Sequence, residues 1–208
     1  MFKESSIIGI VGSGAMGSGI AQVAATAGHS TIIYDTNTTA LEKSKKSLIA
    51  LLDKLVQKQK ISEDKANSIL KLTTYSNSIQ DFKSCDIVIE AIIENIEVKQ
   101  TVFKELETIT SDTCVLASNT SSLSITSIAS ACQKPEKVIG IHFFNPATLM
   151  PLVEIIPGVA TDIIVANHCQ ALINSWGKVT VMAKDTPGFI VNRVARPFYS
   201  EALRIYDE

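Results

Sequence analysis

The 208-residue chain is 46% apolar and 19% charged, with 19 Lys plus Arg against 21 Asp plus Glu and a formal net charge of −2. At roughly 150 residues per domain the length fits one large domain, or one and part of a second. A charged fraction below the roughly 25% of an average soluble domain excludes disorder, and the near-neutral balance excludes a global basic field for nucleic acid or an anionic membrane.

Short β-branched runs alternate with longer helical stretches, the pattern of βαβ units building a parallel sheet covered on both faces. Strands are predicted at Ser6 to Val11, Ser30 to Asp35, Cys85 to Glu90, Thr113 to Ala117 and Lys137 to Ile141, with helices at Ala15 to Ala27, Thr38 to Lys58, Glu63 to Lys71, Ile96 to Thr110 and Leu123 to Ala131. Two further strands, Leu152 to Ile156 and Val179 to Ala183, flank a helix from Asp162 to Trp176 that Gly177 stops. After Pro187-Gly188 the spacing of Val191, Ala195, Phe198, Ala202 and Ile205 predicts a last amphipathic helix, which Pro197 should kink or divide. The expected fold class is α/β, a Rossmann-type doubly wound, mostly parallel sheet over residues 1–184. Residues 185–208 open a second, helical unit.

No apolar run approaches the ~18 residues of a membrane span. The N-terminal apolar run, interrupted by Gly9, is shorter than the roughly 7 to 15 residues of a secretory core. Cys85, Cys114, Cys132 and Cys169 form no C-x-x-C pair and read as buried thiols in a reducing, cytoplasmic setting, so no metal site is expected.

Gly12, Gly14 and Gly17 spell G-x-G-x-x-G between a strand and a helix. The first glycine permits a tight turn, the second admits a pyrophosphate to the backbone, and the third lets helix and strand pack closely. The helix N-terminus then faces the phosphates, which makes Gly12, Ser13, Gly14, Ala15, Met16 and Gly17 a dinucleotide loop. Asp35 follows Gly12 by 23 positions at the end of the second strand, near the ~20-residue offset of the acid that binds the adenosine ribose. A carboxylate there favours NAD over NADP.

Four polar clusters follow. Glu94 and Lys99 lie where a loop leaves the C-terminal edge of the sheet, as cofactor contacts or as a solvated helix face. Asn119, Thr120, Ser121 and Ser122 sit between a strand and a helix; one of them is expected to cap that helix and the others to meet a ligand. His142 ends a strand on the presumed cofactor side, and Glu154 stands twelve residues later on another strand, with Asn145-Pro146 turning the chain between them. Asn192 and Arg193 head the last helix.

The segments GSGAMGSGIA, EAIIEN, ASNTSSLSIT, IHFFNP, PLVEII and DTPGFIVNR extend in order over almost the whole chain. Together they resemble the L-3-hydroxyacyl-CoA dehydrogenase family, which includes 3-hydroxybutyryl-CoA dehydrogenases. The resemblance implies His142 as catalytic base, Glu154 as its partner, and Ser121 and Asn192 as residues that polarise the substrate. It implies NAD contacts at Gly12 to Gly17, Asp35, Glu94, Lys99, Ser121 and Asn145, and coenzyme A phosphates held by Lys54 and Lys58. The reaction implied is reversible NAD-dependent oxidation of a short L-3-hydroxyacyl-CoA by a homodimer. Two departures stand out: Pro151 replaces a common Lys, and the chain ends at Glu208 where the family continues into a helical domain, so it is expected to be truncated. Alternatives are a related dehydrogenase of free hydroxy or sugar acids, and a nucleotide-binding module without catalysis.

Overall fold

The structure is a computed structural model that describes residues 2–208. Eight strands, β1 (Ile8–Val11), β2 (Thr31–Tyr34), β3 (Thr73–Ser76), β4 (Ile87–Glu90), β5 (Val115–Ser118), β6 (Val138–Phe143), β7 (Leu152–Pro157) and β8 (Val179–Met182), form one sheet. Its order is β3-β2-β1-β4-β5-β6-β7-β8, and every neighbouring pair is parallel except β6 with β7. The chain runs outward from β1 to β3 and then returns to place β4 on the other side of β1. That reversal opens a crevice beyond the C-terminal ends of the two strands, the usual ligand position in such a sheet.

Among the described residues seven α-helices, α1 (Ala15–Thr26), α2 (Thr38–Gln57), α3 (Glu63–Leu72), α4 (Ile96–Ile109), α5 (Ile125–Ala129), α6 (Ile163–Ser175) and α7 (Val191–Asp207), join two short 3-10 helices at Ile79–Ser84 and Pro135–Lys137. The central strands are apolar on both faces because both are covered. Ile8, Ile10, Ile87 and Ile89 point to one side, where they meet Ile20 and Ala24 of α1 and Cys169 and Ile173 of α6. Val11, Val88 and Leu116 point to the other, against Phe103 and Leu106 of α4 and Ile125 and Ile128 of α5. Each such side chain contributes roughly 1.5–3 kcal/mol on full burial. The α2–α3 hairpin packs Leu48, Leu52, Ala66 and Ile69 on Ala25 of α1 and leaves Lys54 and Lys58 exposed. Among the described residues no helix is long and apolar enough to cross a membrane.

Three local expectations are corrected. The segment Thr73–Ser76, to which the sequence assigns no element, is the edge strand β3, paired in parallel with β2; its polar residues suit an edge that faces solvent. The cap of α5 is Ser124, whose side chain accepts from the Ser127 amide, and not one of residues 119 to 122. Thr120 instead closes a local turn by accepting from the amides of Ser122 and Leu123. Finally, Pro197 does not divide α7, which runs through it as one helix.

Candidate active site

The glycine turn follows β1 directly. Gly12 has φ +103°, and a Cβ there would meet the Ala91 carbonyl oxygen at 2.6 Å. A Cβ on Gly17 would sit 1.9 Å from the Gly12 carbonyl oxygen, whereas one on Gly14 would meet nothing within 4 Å. Two glycines are therefore fixed by close packing and the middle one faces open space, a cradle into which phosphate oxygens fit. The Gly14 end of α1 has no side-chain cap and its first turn no acidic residue, so the helix N-terminus is free to face an anion.

A cavity of about 580 Å³ opens beside this turn, lined by Gly12, Gly14, Asp35, Ile79, Ile93 and Val98 among others. Asp35 sits at its rim. One carboxylate oxygen accepts from the amide and hydroxyl of Ser13, at 2.8 and 2.7 Å, and the other from the Asn37 amide at 2.9 Å. Burial works to raise the Asp35 pKa, but the hydrogen bonds from Asn37 and Ser13 hold it below the ordinary value. An ionised carboxylate has about four lone-pair sites, so capacity remains for ribose hydroxyls.

Beyond the turn the site extends across the C-terminal ends of β4, β5 and β6. Glu90 is fully buried at the end of β4 and was given no role by the sequence reading. It accepts from Lys99 Nζ at 2.5 Å, the Ile92 amide at 2.7 Å and Ser118 Oγ at 2.7 Å. Lys99 is 1% exposed and also lies 3.4 Å from Glu94. It is neither a solvated helix face nor a side chain presented to the cavity; its charge is enclosed between two carboxylates. The detectable signal for Glu90 was a lone acid closing an otherwise apolar strand.

Glu94 grips the serine-rich loop. Its Oε1 accepts from Thr120 Oγ1 at 2.6 Å, the Ser121 amide at 2.9 Å, and Ser121 Oγ and Ser122 Oγ at 3.2 Å each. Burial tends to raise the Glu94 pKa, and the bonds from Thr120 and Ser121 together with the Lys99 charge bring it below the ordinary value. Asn119 accepts from the Phe143 amide at 2.8 Å and so ties the end of β5 to the end of β6. Asn192 Nδ2 reaches the Ser121 carbonyl oxygen at 3.2 Å.

His142 and Glu154 face each other directly across the antiparallel β6–β7 ladder. Nδ1 of His142 lies 2.7 Å from Glu154 Oε2, with the histidine 5% exposed and Glu154 fully buried. The other oxygen, Oε1, accepts from the amides of Ile190 and Val191 at the start of α7, both at 2.9 Å. Burial pushes the Glu154 pKa up, yet the bonds from His142, Val191 and Ile190 outweigh it and hold the carboxyl below the ordinary range. An ionised carboxylate only accepts. Nδ1 therefore carries a proton, and in the neutral imidazole Nε2 is the acceptor. Phe144 and Phe189 pack their rings 4.5 and 5.8 Å from the imidazole.

Three strand steps separate β6 from β1, about 14 Å at 4.7–4.9 Å per step. His142 is not part of the large cavity lining, which lies among the ends of β1, β2 and β4 and one face of α4. Asn145 lines a smaller groove of about 260 Å³ between α1, α2 and the β6–β7 turn, together with Ala15, Ser18, Ser44 and Leu51. Lys54 and Lys58 line neither space. Pro151 is exposed, and the ammonium of Lys178 holds the turn before it through the carbonyls of Ala147 and Met150, at 2.6 and 2.9 Å.

Residues 7–186 match the family described as 3-hydroxyacyl-CoA dehydrogenase, NAD binding domain. The whole chain is 43% identical to 3-hydroxyadipyl-CoA dehydrogenase of Escherichia coli, of which it spans 44%. Over 200 residues it is 43% identical to a probable 3-hydroxybutyryl-CoA dehydrogenase of Bacillus subtilis, covering 96% of this chain and 70% of that one. Among solved structures, 3-hydroxybutyryl-CoA dehydrogenase of E. coli superposes with a TM-score of 0.96 at 42% identity, covering 98% of this chain and 43% of the other. That from Ralstonia eutropha gives 0.92 at 39%, with 95% and 70% covered. The glycine cradle and the matched family agree that the cofactor is NAD. On fold, motif order and similarity alike, the chain belongs to the family of NAD-binding domains of 3-hydroxyacyl-CoA dehydrogenases.

Proposed function

We propose that this chain is the cofactor-binding and proton-transferring part of an NAD-dependent dehydrogenase that interconverts L-3-hydroxyacyl-CoA and 3-ketoacyl-CoA. Short acyl chains such as hydroxybutyryl are its substrates. The observation that carries the reading is the His142–Glu154 pair, held at 2.7 Å with the second carboxylate oxygen on two backbone amides.

Bound NAD supplies the hydride acceptor, and its reduced form the donor. In oxidation, Nε2 of His142 takes the proton from the substrate hydroxyl, a task that suits neutral imidazole near neutral pH. Glu154 keeps the ring in the required tautomer and stabilises the imidazolium as it forms. Ser121 and Asn192 donate to the substrate oxygens, where a well-placed donor is worth roughly 3–4 kcal/mol by analogy with an oxyanion hole. Gly12 to Gly17 hold the pyrophosphate and Asp35 the adenosine ribose. Glu94 and Asn145 stand at the nicotinamide end, and Lys99 acts there through Glu94. Lys54 and Lys58, both exposed on α2, take the coenzyme A phosphates.

Residues 1–184 form the nucleotide domain, and residues 185–208 begin a helical unit through which two subunits associate. The exposed Val194, Phe198, Leu203 and Tyr206 of α7 support that surface. Four cysteines, all buried and free, support a cytoplasmic setting. The test is loss of NADH absorbance with acetoacetyl-CoA, set beside free acetoacetate. His142→Ala abolishes turnover while NADH still binds; turnover of free acetoacetate as fast as the thioester sinks the coenzyme A assignment.

A further inference from the structure

The carboxylate of Asp185 accepts four hydrogen bonds: from Ser124 Oγ at 2.9 Å, the amides of Ile125 and Thr126 at 2.8 Å each, and Thr126 Oγ1 at 2.6 Å. It thereby joins the chain leaving β8 to the start of α5, at the end of the loop that carries Ser121. Five residues later the amide of Ile190, with that of Val191 after it, lies on Glu154. Between the two anchors the backbone turns through Gly188 at φ +77° and Phe189 at φ +47°. A left-handed non-glycine residue costs roughly 1–3 kcal/mol and persists only where its surroundings over-determine it. Phe189 is 3% exposed, with its ring 5.8 Å from that of His142.

Helix α7 itself buries no residue. Apart from the Asn192 side chain on the Ser121 carbonyl, its N-terminus is therefore held on Glu154 by the 185–191 strap and not by packing of the helix. We propose that Asp185 is a positioning residue for the His142–Glu154 pair. By tying the strap to α5, it keeps the Ile190 and Val191 amides on Glu154 and the Phe189 ring against the imidazole. This role rests on the dehydrogenase reading, and it adds a second tie between the serine loop and the base beside the bond from Asn192 to the Ser121 carbonyl.

The test compares wild type with Asp185→Asn, Asp185→Ala and Asp185→Glu in the full chain. Three quantities are read: exchange of the Ile190 and Val191 amides by NMR, NADH affinity by fluorescence, and kcat with acetoacetyl-CoA. In Asp185→Ala the two amides exchange at least about tenfold faster and kcat falls between about ten- and a hundredfold, as for a small misplacement of a reacting group. NADH affinity stays within about twofold. Asp185→Glu regains part of the lost kcat, and the isosteric Asp185→Asn supplies the same reading should the alanine variant not fold. Unchanged exchange, unchanged kcat despite faster exchange, or an NADH affinity that falls in step with kcat each overturns the role. If wild type itself shows no turnover, the dehydrogenase reading fails, and exchange at Ile190 and Val191 then decides the strap alone.

Discussion

Replacing Glu154 by Gln isolates what the carboxylate does, because shape is kept and one acceptor oxygen is exchanged for a donor. In the native arrangement one oxygen receives His142 and the other receives two amides. The glutamine oxygen can serve only one of these sides. Turned toward His142, it would leave the Ile190 and Val191 amides facing an NH₂ group, at about 1–3 kcal/mol for each unsatisfied buried donor. Turned toward the amides, it loses a single bond. The second orientation wins, and the NH₂ then donates to Nδ1. The ring proton is forced onto Nε2, the nitrogen that has to accept from substrate. A wrong tautomer beside a catalytic histidine costs about 10⁴ in turnover in the serine protease triad, so a kcat loss of about 10³ to 10⁴ is expected, roughly 4–5.5 kcal/mol at 1.36 kcal/mol per decade. NADH affinity should hold, and the acid limb of the remaining activity should move to lower pH. NADH consumption with acetoacetyl-CoA across pH 5 to 9 measures both. A kcat within about threefold of wild type refutes the tautomer argument.

Gly17→Ala places a methyl 1.9 Å from the Gly12 carbonyl oxygen, so the turn must move. A loss of about 1–3 kcal/mol from overpacking accompanies at least about tenfold weaker NADH binding, read by fluorescence titration, and native affinity would contradict the cradle. The thiols of Cys85, Cys114, Cys132 and Cys169 are all pushed up to about 12, chiefly by burial. Intact mass should show no alkylation by iodoacetamide of the native protein at pH 8 and four adducts in denaturant. Asp35, Glu94, Glu154 and Asp185 titrate below their ordinary values of 3.8 for Asp and 4.5 for Glu. Depressed carboxyls stabilise the fold above those ordinary values and lose that contribution as pH falls through the lower, folded ones. The urea midpoint is thus level from pH 7 to about 5 and drops below about 4; a midpoint that stays level to about pH 3 would count against the bonding described.

The alternation of buried strands and amphipathic helices was legible because covered parallel strands leave no polar face to confuse the period. The glycine turn was legible because each glycine answers a steric demand, seen in the contacts a Cβ would make at Gly12 and Gly17. β3 escaped notice since Thr73, Thr74, Tyr75 and Ser76 become a strand only by pairing with β2. Glu90 and Lys99 were hard to read for a related reason: each is tolerable in the interior only because the other is there. Asp185 has partners about 60 positions away, and a hydrogen bond across such a separation leaves no local pattern.

The antiparallel return of β7 against β6 makes the distance between His142 and Glu154 a property of strand register. Side chains along a strand alternate sides, so a single-residue insertion within β7 would carry the acid to the opposite face of the sheet, while the turn from Phe144 to Pro151 can lengthen without disturbing the pair. Variation in homologous chains should accordingly spare the ladder. Grafting this acid–base pair onto another sheet would require transplanting a hairpin's alignment, not merely two side chains.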